Sequence, residues 1–255
     1  MTRPDFSGKC DHPAMCGRMT QQTSPSEIAR IFEAELREPE TLAEMGPRYN
    51  VAPTQPIGVV VEREDGRFVE LHRWGLVPSW STSVAQQGAR LINARAETLA
   101  TSRAFRESFA RRRCIVPADG FYEWRREGRA RHPYLIHPRD GQPLAFAGLW
   151  APWREPSSGE WLLSAAVITT SANTTVAPLH DRMPVVLAPA SWEAWLDPMI
   201  GDAPLLTSLL GPAPDDTLEV RAVSPRVNSP HNDEPELLLP YAPPETAPLF
   251  PTGRG

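Results

Sequence analysis

Lysine is almost absent from this chain. Of its 26 basic residues only Lys9 is a lysine, and the other 25 are arginines. Long apolar runs are missing as well: nothing approaches the roughly 20 residues of a membrane-spanning helix, and the first fifteen residues lack the apolar centre of a secretory signal. A cytoplasmic protein without a membrane partner is expected. Cysteine is scarce, and Cys10, Cys16 and Cys114 are too few and too unevenly spaced for a disulfide framework, so their chemistry is that of free thiols. Glycine-rich phosphate loops, Walker and dinucleotide fingerprints and internal repeats are all lacking, which leaves no nucleotide cofactor implied. The Cys10-Asp11-His12 run lies close to Cys16 but has no recognisable fourth ligand, and no metal is expected.

The composition, with 41% hydrophobic and 22% charged residues, is that of a globular protein, and 255 residues suffice for one domain with a sizeable core. Residues 1–14 are polar and aperiodic, and read as a leader or disordered tail. Residues 241–255 carry Pro243, Pro244, Pro248 and Pro251 and read as a second disordered tail, leaving 15–240 as the catalytic domain. The net charge of −5 is unevenly spread. Residues 90–131 hold eleven arginines against five acids, a pattern that suits either a solvated face or a phosphate-binding one.

Periodicity predicts a helix over Ser26–Leu36 and another over Arg95–Ala110, with a short one starting at Ser191–Trp195. Strands are predicted over Ile57–Arg63, Arg67–Trp74, Tyr134–His137, Leu144–Leu149 and Leu162–Thr170. Asp65-Gly66 marks a hairpin between the first two. Several closely spaced strands with few helices favour an antiparallel α+β domain over a doubly wound one.

The segment Met15-Cys16-Gly17-Arg18-Met19 is where chemistry enters. If the chain loses everything through Met15, Cys16 carries a thiol and a free α-amine on adjacent carbons. Such an aminothiol condenses with an aldehyde and closes to a thiazolidine without metal or cofactor; the unperturbed pKa values, about 8 for the amine and about 8.5 for the thiol, keep both nucleophiles accessible near neutrality. A buried internal cysteine is the plainer alternative. Other segments are unusually polar or aromatic for core. Trp74 and Trp80 in Arg73–Trp80 suit core packing or base stacking. Asn93 and Arg95 in Leu91–Thr98 sit at the mouth of the predicted helix, where the amide also suits an N-cap. Glu123 lies between aromatics, where desolvation raises a carboxyl pKa toward the range useful for proton transfer. His180 precedes the apolar run Val185-Val186-Leu187, either as an acid-base group or as a structural hydrogen-bonder.

Together Met15–Arg18, Arg48–Gln55, Trp74–Pro78, Ile92–Glu97, Pro117–Trp124, His180–Val186 and Val223–Asn228 resemble the SOS response associated peptidase (SRAP) family, in the family's order. The resemblance implies a single α+β domain with a twisted, antiparallel, barrel-like sheet and flanking helices. It also implies a monomer that binds single-stranded DNA and crosslinks covalently to ring-opened abasic sites in the DNA damage response. By matching position, Cys16 would be nucleophile and amine, and Asn93 would hold the sugar. Glu123 would move protons at the amine and imine, and His180 would serve in ring opening and reversal. Arg18 and Arg95 would contact phosphates, with Pro53 and Trp74 beside the bases or the strand path. The same constellation suits a cysteine-dependent autopeptidase, and a non-covalent single-strand binder is a further alternative. The residues before Cys16 depart from the family pattern. They could be removed by self-cleavage, they could precede a true translation start at Met15, or they could persist and block thiazolidine chemistry; a start at Met15 is expected.

Overall fold

The computed structural model describes residues 16–87, 90–128 and 130–242. The leader, Cys10 to His12 and Met15 lie outside the described residues, as does the tail from 243 onward. The described strands run in chain order as β1 (Met19–Gln21), β2 (Glu35–Leu36), β3 (Arg48–Val51), β4 (Pro56–Arg63), β5 (Gly66–Trp74), β6 (Asn93–Arg95), β7 (Arg113–Ala118), β8 (Gly120–Glu127), β9 (Ala130–Pro138), β10 (Leu144–Arg154), β11 (Trp161–Ser171), β12 (Arg182–Pro184) and β13 (Leu218–Ala222). Short helices lie between them: α1 (Pro25–Ile31), α2 (Pro39–Glu44), α3 (Val84–Gln87), α4 (Arg106–Arg111), α5 (Trp192–Leu196) and α6 (Ala203–Ser208).

Five of the strands form a ring. β4 pairs antiparallel with β5 and β7, β7 with β10, and β10 with β11. A short parallel contact between β11 and β5, Ser164 against Arg73 and Ala165 against Trp74, closes the barrel. Strand alternation turns Ile57, Val59 and Val61, Phe68 and Trp74, Cys114 and Val116, Phe146 and Trp150, and Ala165 and Val167 into one interior cluster. A second sheet, ordered β13-β9-β8-β1-β3 and antiparallel throughout, stands beside the ring. The molecule is thus α+β with a barrel-like sheet and peripheral helices.

All five predicted strands are present, each longer than expected, and the turn at Asp65-Gly66 joins β4 to β5. The short helix expected at Ser191–Trp195 is present as α5, but the other two are shorter than expected. Ser24 accepts a hydrogen bond from Glu27 N and starts α1 with Pro25 in its first turn, but the chain leaves the helix after Ile31 and Glu33 takes a left-handed φ of +51°. The helix expected over Arg95–Ala110 is not continuous. Its start is β6, followed by one 3-10 turn at Ala96–Thr98, and only α4 at its far end is helical. Pairing of β6 with β11 supplies the backbone partners that a helix would have supplied, so tertiary pairing overrides local propensity. Several arginines of the arginine-rich stretch are already engaged within the molecule. Arg113 is buried, Arg112 pairs with Glu107, Arg125 with Glu127, and Arg103 lies over Trp80.

Candidate active site

Strand register brings Cys16 to Glu123. β1 and β8 run antiparallel with Met19 opposite Phe121, and Tyr122 N donates to Arg18 O at 3.0 Å, so the chain preceding β1 continues alongside Glu123. The backbone nitrogen of Cys16 donates to Glu123 Oε1 at 2.8 Å. Both residues are 4% exposed. Burial pushes the Glu123 carboxyl up, against the opposing pull of the His180 ring and of the Cys16 contacts. Burial likewise raises the Cys16 thiol, and Glu123 adds to the rise. Cys16 holds a left-handed φ of +44°, a conformation that a side-chain-bearing residue rarely adopts.

The other face of the site is built on β11. β6 lies parallel to it with Asn93 opposite Val167, and β12 lies antiparallel with Arg182 opposite Ser171. This brings Asn93 and the residues just after His180 to the same end of the barrel. His180 is 22% exposed; its Nδ1 lies 2.9 Å from Asp181 Oδ1 and accepts from Arg182 N at 3.0 Å. Asn93 is half-buried on a strand and is not the cap of a helix, since the helix it was expected to open is absent.

Of the residues expected to meet DNA, Arg95 is exposed and shares a strand face with Asn93. Arg18 is half-buried and partly committed inside the molecule: Nη1 donates to Asn50 Oδ1 at 2.7 Å and to Val227 O at 2.8 Å, and the guanidinium carbon lies 5.8 Å from the Trp124 ring centre. Asn50 passes the connection on to Val227, Ser229 and Asn232, which explains why the Arg48–Gln55 and Val223–Asn228 segments go together. Pro53 is half-buried in the turn before β4. Trp74 is 1% exposed and cannot stack on a base; its Nε1 donates to Ile92 O at 3.1 Å, and so it anchors the approach to Asn93. Arg182, two residues beyond His180, carries no signal in the sequence that distinguishes it from the other arginines. It pairs with Glu97 through both nitrogens, at 2.5 and 2.9 Å. Among the described residues no cluster of three His, Cys, Asp or Glu side chains is arranged to hold a metal, and no helix is long and apolar enough to cross a membrane.

A model of the SOS response associated peptidase (SRAP) family matches residues 15–230. The chain is 40% identical over 225 residues to the abasic site processing protein YoqW of Bacillus subtilis (strain 168), covering 88% of this chain and 99% of that one. It is 33% identical over 229 residues to the abasic site processing protein YedK of Escherichia coli (strain K12), covering 89% and 100%. With the abasic site processing protein HMCES of Gallus gallus the identity is 29% over 263 residues, covering 89% and 78%. The crystal structure of a Bacteroides thetaiotaomicron protein superposes with a TM-score of 0.81 at 26% identity, covering 89% of this chain and all of that one. From its sequence motifs, its barrel and the extent of these matches, the chain belongs to the SRAP family.

Proposed function

We propose that this protein processes abasic sites, capturing the ring-opened sugar in single-stranded DNA as a thiazolidine on Cys16. One observation carries the reading: the group that Glu123 touches, at 2.8 Å, is the nitrogen of Cys16. A carboxyl placed on that atom suits amine chemistry, and the same residue supplies the thiol. Once the α-amine is free, its nitrogen attacks the aldehyde carbon and water leaves, forming an imine. The sulfur then adds to the imine carbon while its proton passes to nitrogen, so the product forms with net loss of one water. Glu123 is the acid-base group for these transfers, His180 the acid-base group for ring opening and reversal, and Asn93 the residue that holds the sugar. Arg95, exposed beside Asn93, is the phosphate contact best placed for a strand; Arg18, turned partly inward, and half-buried Pro53 border its path.

The test is adduct formation with a single-stranded oligonucleotide carrying one abasic site. The expected product survives denaturation and weighs one water less than the sum of a protein starting at Cys16 and its oligonucleotide. Cys16→Ala abolishes it, and an undiminished adduct in that variant would overturn the assignment. Cys16→Ser retains the amine and gives only an imine that needs reduction to survive. The same contact also favours a peptidase reading, because the Cys16 nitrogen is the leaving group if the bond after Met15 is cut. Intact mass followed over time decides this: full-length chains that stay uncut exclude self-cleavage.

A further inference from the structure

Between Trp124 and Pro133 the chain holds four arginines against one acid, Glu127. These residues form the far end of the β8–β9 hairpin, where Trp124 lies opposite Pro133, Arg125 opposite His132 and Arg126 opposite Arg131. Alternation divides them between two faces. Arg125, Glu127 and His132 share the face that carries Glu123, and the acid is engaged there: it pairs with Arg125 and lies 3.6 Å from His132 Nε2. Arg126 and Arg131 stand on the other face, with Trp124. Both are exposed, and neither makes an ion pair among the described residues. Like charges directly across a ladder repel, so this pair weakens the hairpin and gains nothing inside the fold. The same face leads back to the candidate site. Trp124 Nε1 donates to Asn228 Oδ1 at 2.7 Å, and the Arg18 guanidinium carbon lies 5.8 Å from the Trp124 ring centre. Arg18, Trp124 and the Arg126–Arg131 pair therefore follow one another along a single face, with about 7 Å of strand between Trp124 and Arg126. Arg126 itself lies about 10 Å along β8 from Glu123.

We propose that Arg126 and Arg131 form a phosphate-binding arm that holds the DNA strand beyond the abasic nucleotide, continuing the path that Arg18 borders. The inference rests on the reading above that the protein takes single-stranded DNA. A run of phosphodiesters supplies the negative charge that the pair lacks within the fold, and its arrival relieves the repulsion between the two guanidinium groups. Contacts of this kind fix where the strand lies without reading its bases, which suits a protein whose target nucleotide has no base to read.

Binding of an undamaged single-stranded oligonucleotide, followed by fluorescence anisotropy across a salt series, reads this contact without the covalent step. In the double variant Arg126→Ser with Arg131→Ser the strand binds several-fold more weakly at low salt. The slope of log affinity against log salt becomes shallower by about 1.4, as the loss of two single-strand phosphate contacts requires. Arg139→Ser, which removes an exposed arginine just past the opposite end of β9, leaves affinity and slope unchanged. The double variant melts no lower than the wild type, because two repelling charges have gone. An unmoved slope in the double variant, or an equal change in Arg139→Ser, overturns the arm. A lower melting temperature in the double variant means that the arginines support the hairpin, and overturns it as well. Affinity lost for a duplex alone assigns the pair to double-stranded DNA and overturns the single-strand path. Wild-type protein that binds the strand through this arm yet never forms an adduct with an abasic site defeats the proposed thiazolidine chemistry and leaves the arm standing.

Discussion

Glu123 is a carboxyl placed where ionisation is costly, and that cost separates its chemical role from its structural one. Because burial raises its folded-state pKa above the unfolded value, the folded protein holds this proton more tightly and its stability declines as pH rises through the carboxyl range. Glu123→Gln removes that penalty while retaining an acceptor for Cys16 N. It is expected to match or exceed the wild type in thermal melting at neutral pH, yet to form adducts about 100-fold more slowly, as befits loss of an acid-base group. Thr54 illustrates strain of another kind. It is β-branched and held at φ +73°, where its N–H donates to Trp74 O at 2.8 Å, so the position fixes the turn after Pro53. Thr54→Gly should stabilise the fold by about 1 kcal/mol in urea titration, since glycine adopts that φ freely; a loss of stability would show that the turn carries no strain.

At the scale of elements, the largest single commitment is Arg113 at the head of β7. It is 2% exposed, and it donates to the carbonyls of Phe109 and Ala110 at the end of α4 and to those of Trp195, Asp197 and Ile200 around the end of α5. A cation suits the negative ends of two helices, and its fork reaches carbonyls that would otherwise be unpaired. Arg113→Met leaves those carbonyls buried without donors and should cost about 3 kcal/mol or more, read as a lower midpoint in denaturant. Such an arginine is indistinguishable in sequence from its neighbours Arg111 and Arg112, which is why the stretch suits a solvated face or a phosphate-binding one and gives no sign of a buried member. The strands were legible because alternation and turn residues are local signals. Asn93 was placed at a helix mouth because its partner strand β11 lies far away in sequence, and no local signal announces a parallel pairing. The four residues of the candidate site were legible only through their motifs. Arg182 belongs to one of those motifs, but its partner Glu97 reaches it only in three dimensions.

Across the whole molecule, the barrel interior is not uniformly apolar. Glu70, 4% exposed, is met by Arg63 at 2.5 Å and by His72 at 3.0 Å, and Arg63 lies over the Trp150 ring at 3.9 Å. Burial alone would raise this carboxyl, but the hydrogen bonds from His72 and Arg63 outweigh it and hold it at about 2. A folded-state pKa below the unfolded one contributes stability that is complete above the ordinary carboxyl range and is lost as pH falls toward 2. Melting temperature should therefore drop on acidification through that window, and Glu70→Gln should flatten the drop while lowering stability at neutral pH; an equally steep acid limb in the variant would place the sensitivity elsewhere. The ring around this cluster closes through two residue pairs only, Ser164 with Arg73 and Ala165 with Trp74. During synthesis, Cys16 and Glu123 are therefore made well before the seam can form, and His180 only after both of its strands. Under the proposed chemistry, a nascent chain whose Cys16 amine is freed at once would carry a reactive aminothiol before it has a pocket to govern it, and the order of translation would leave it briefly open to whatever free aldehydes surround the ribosome.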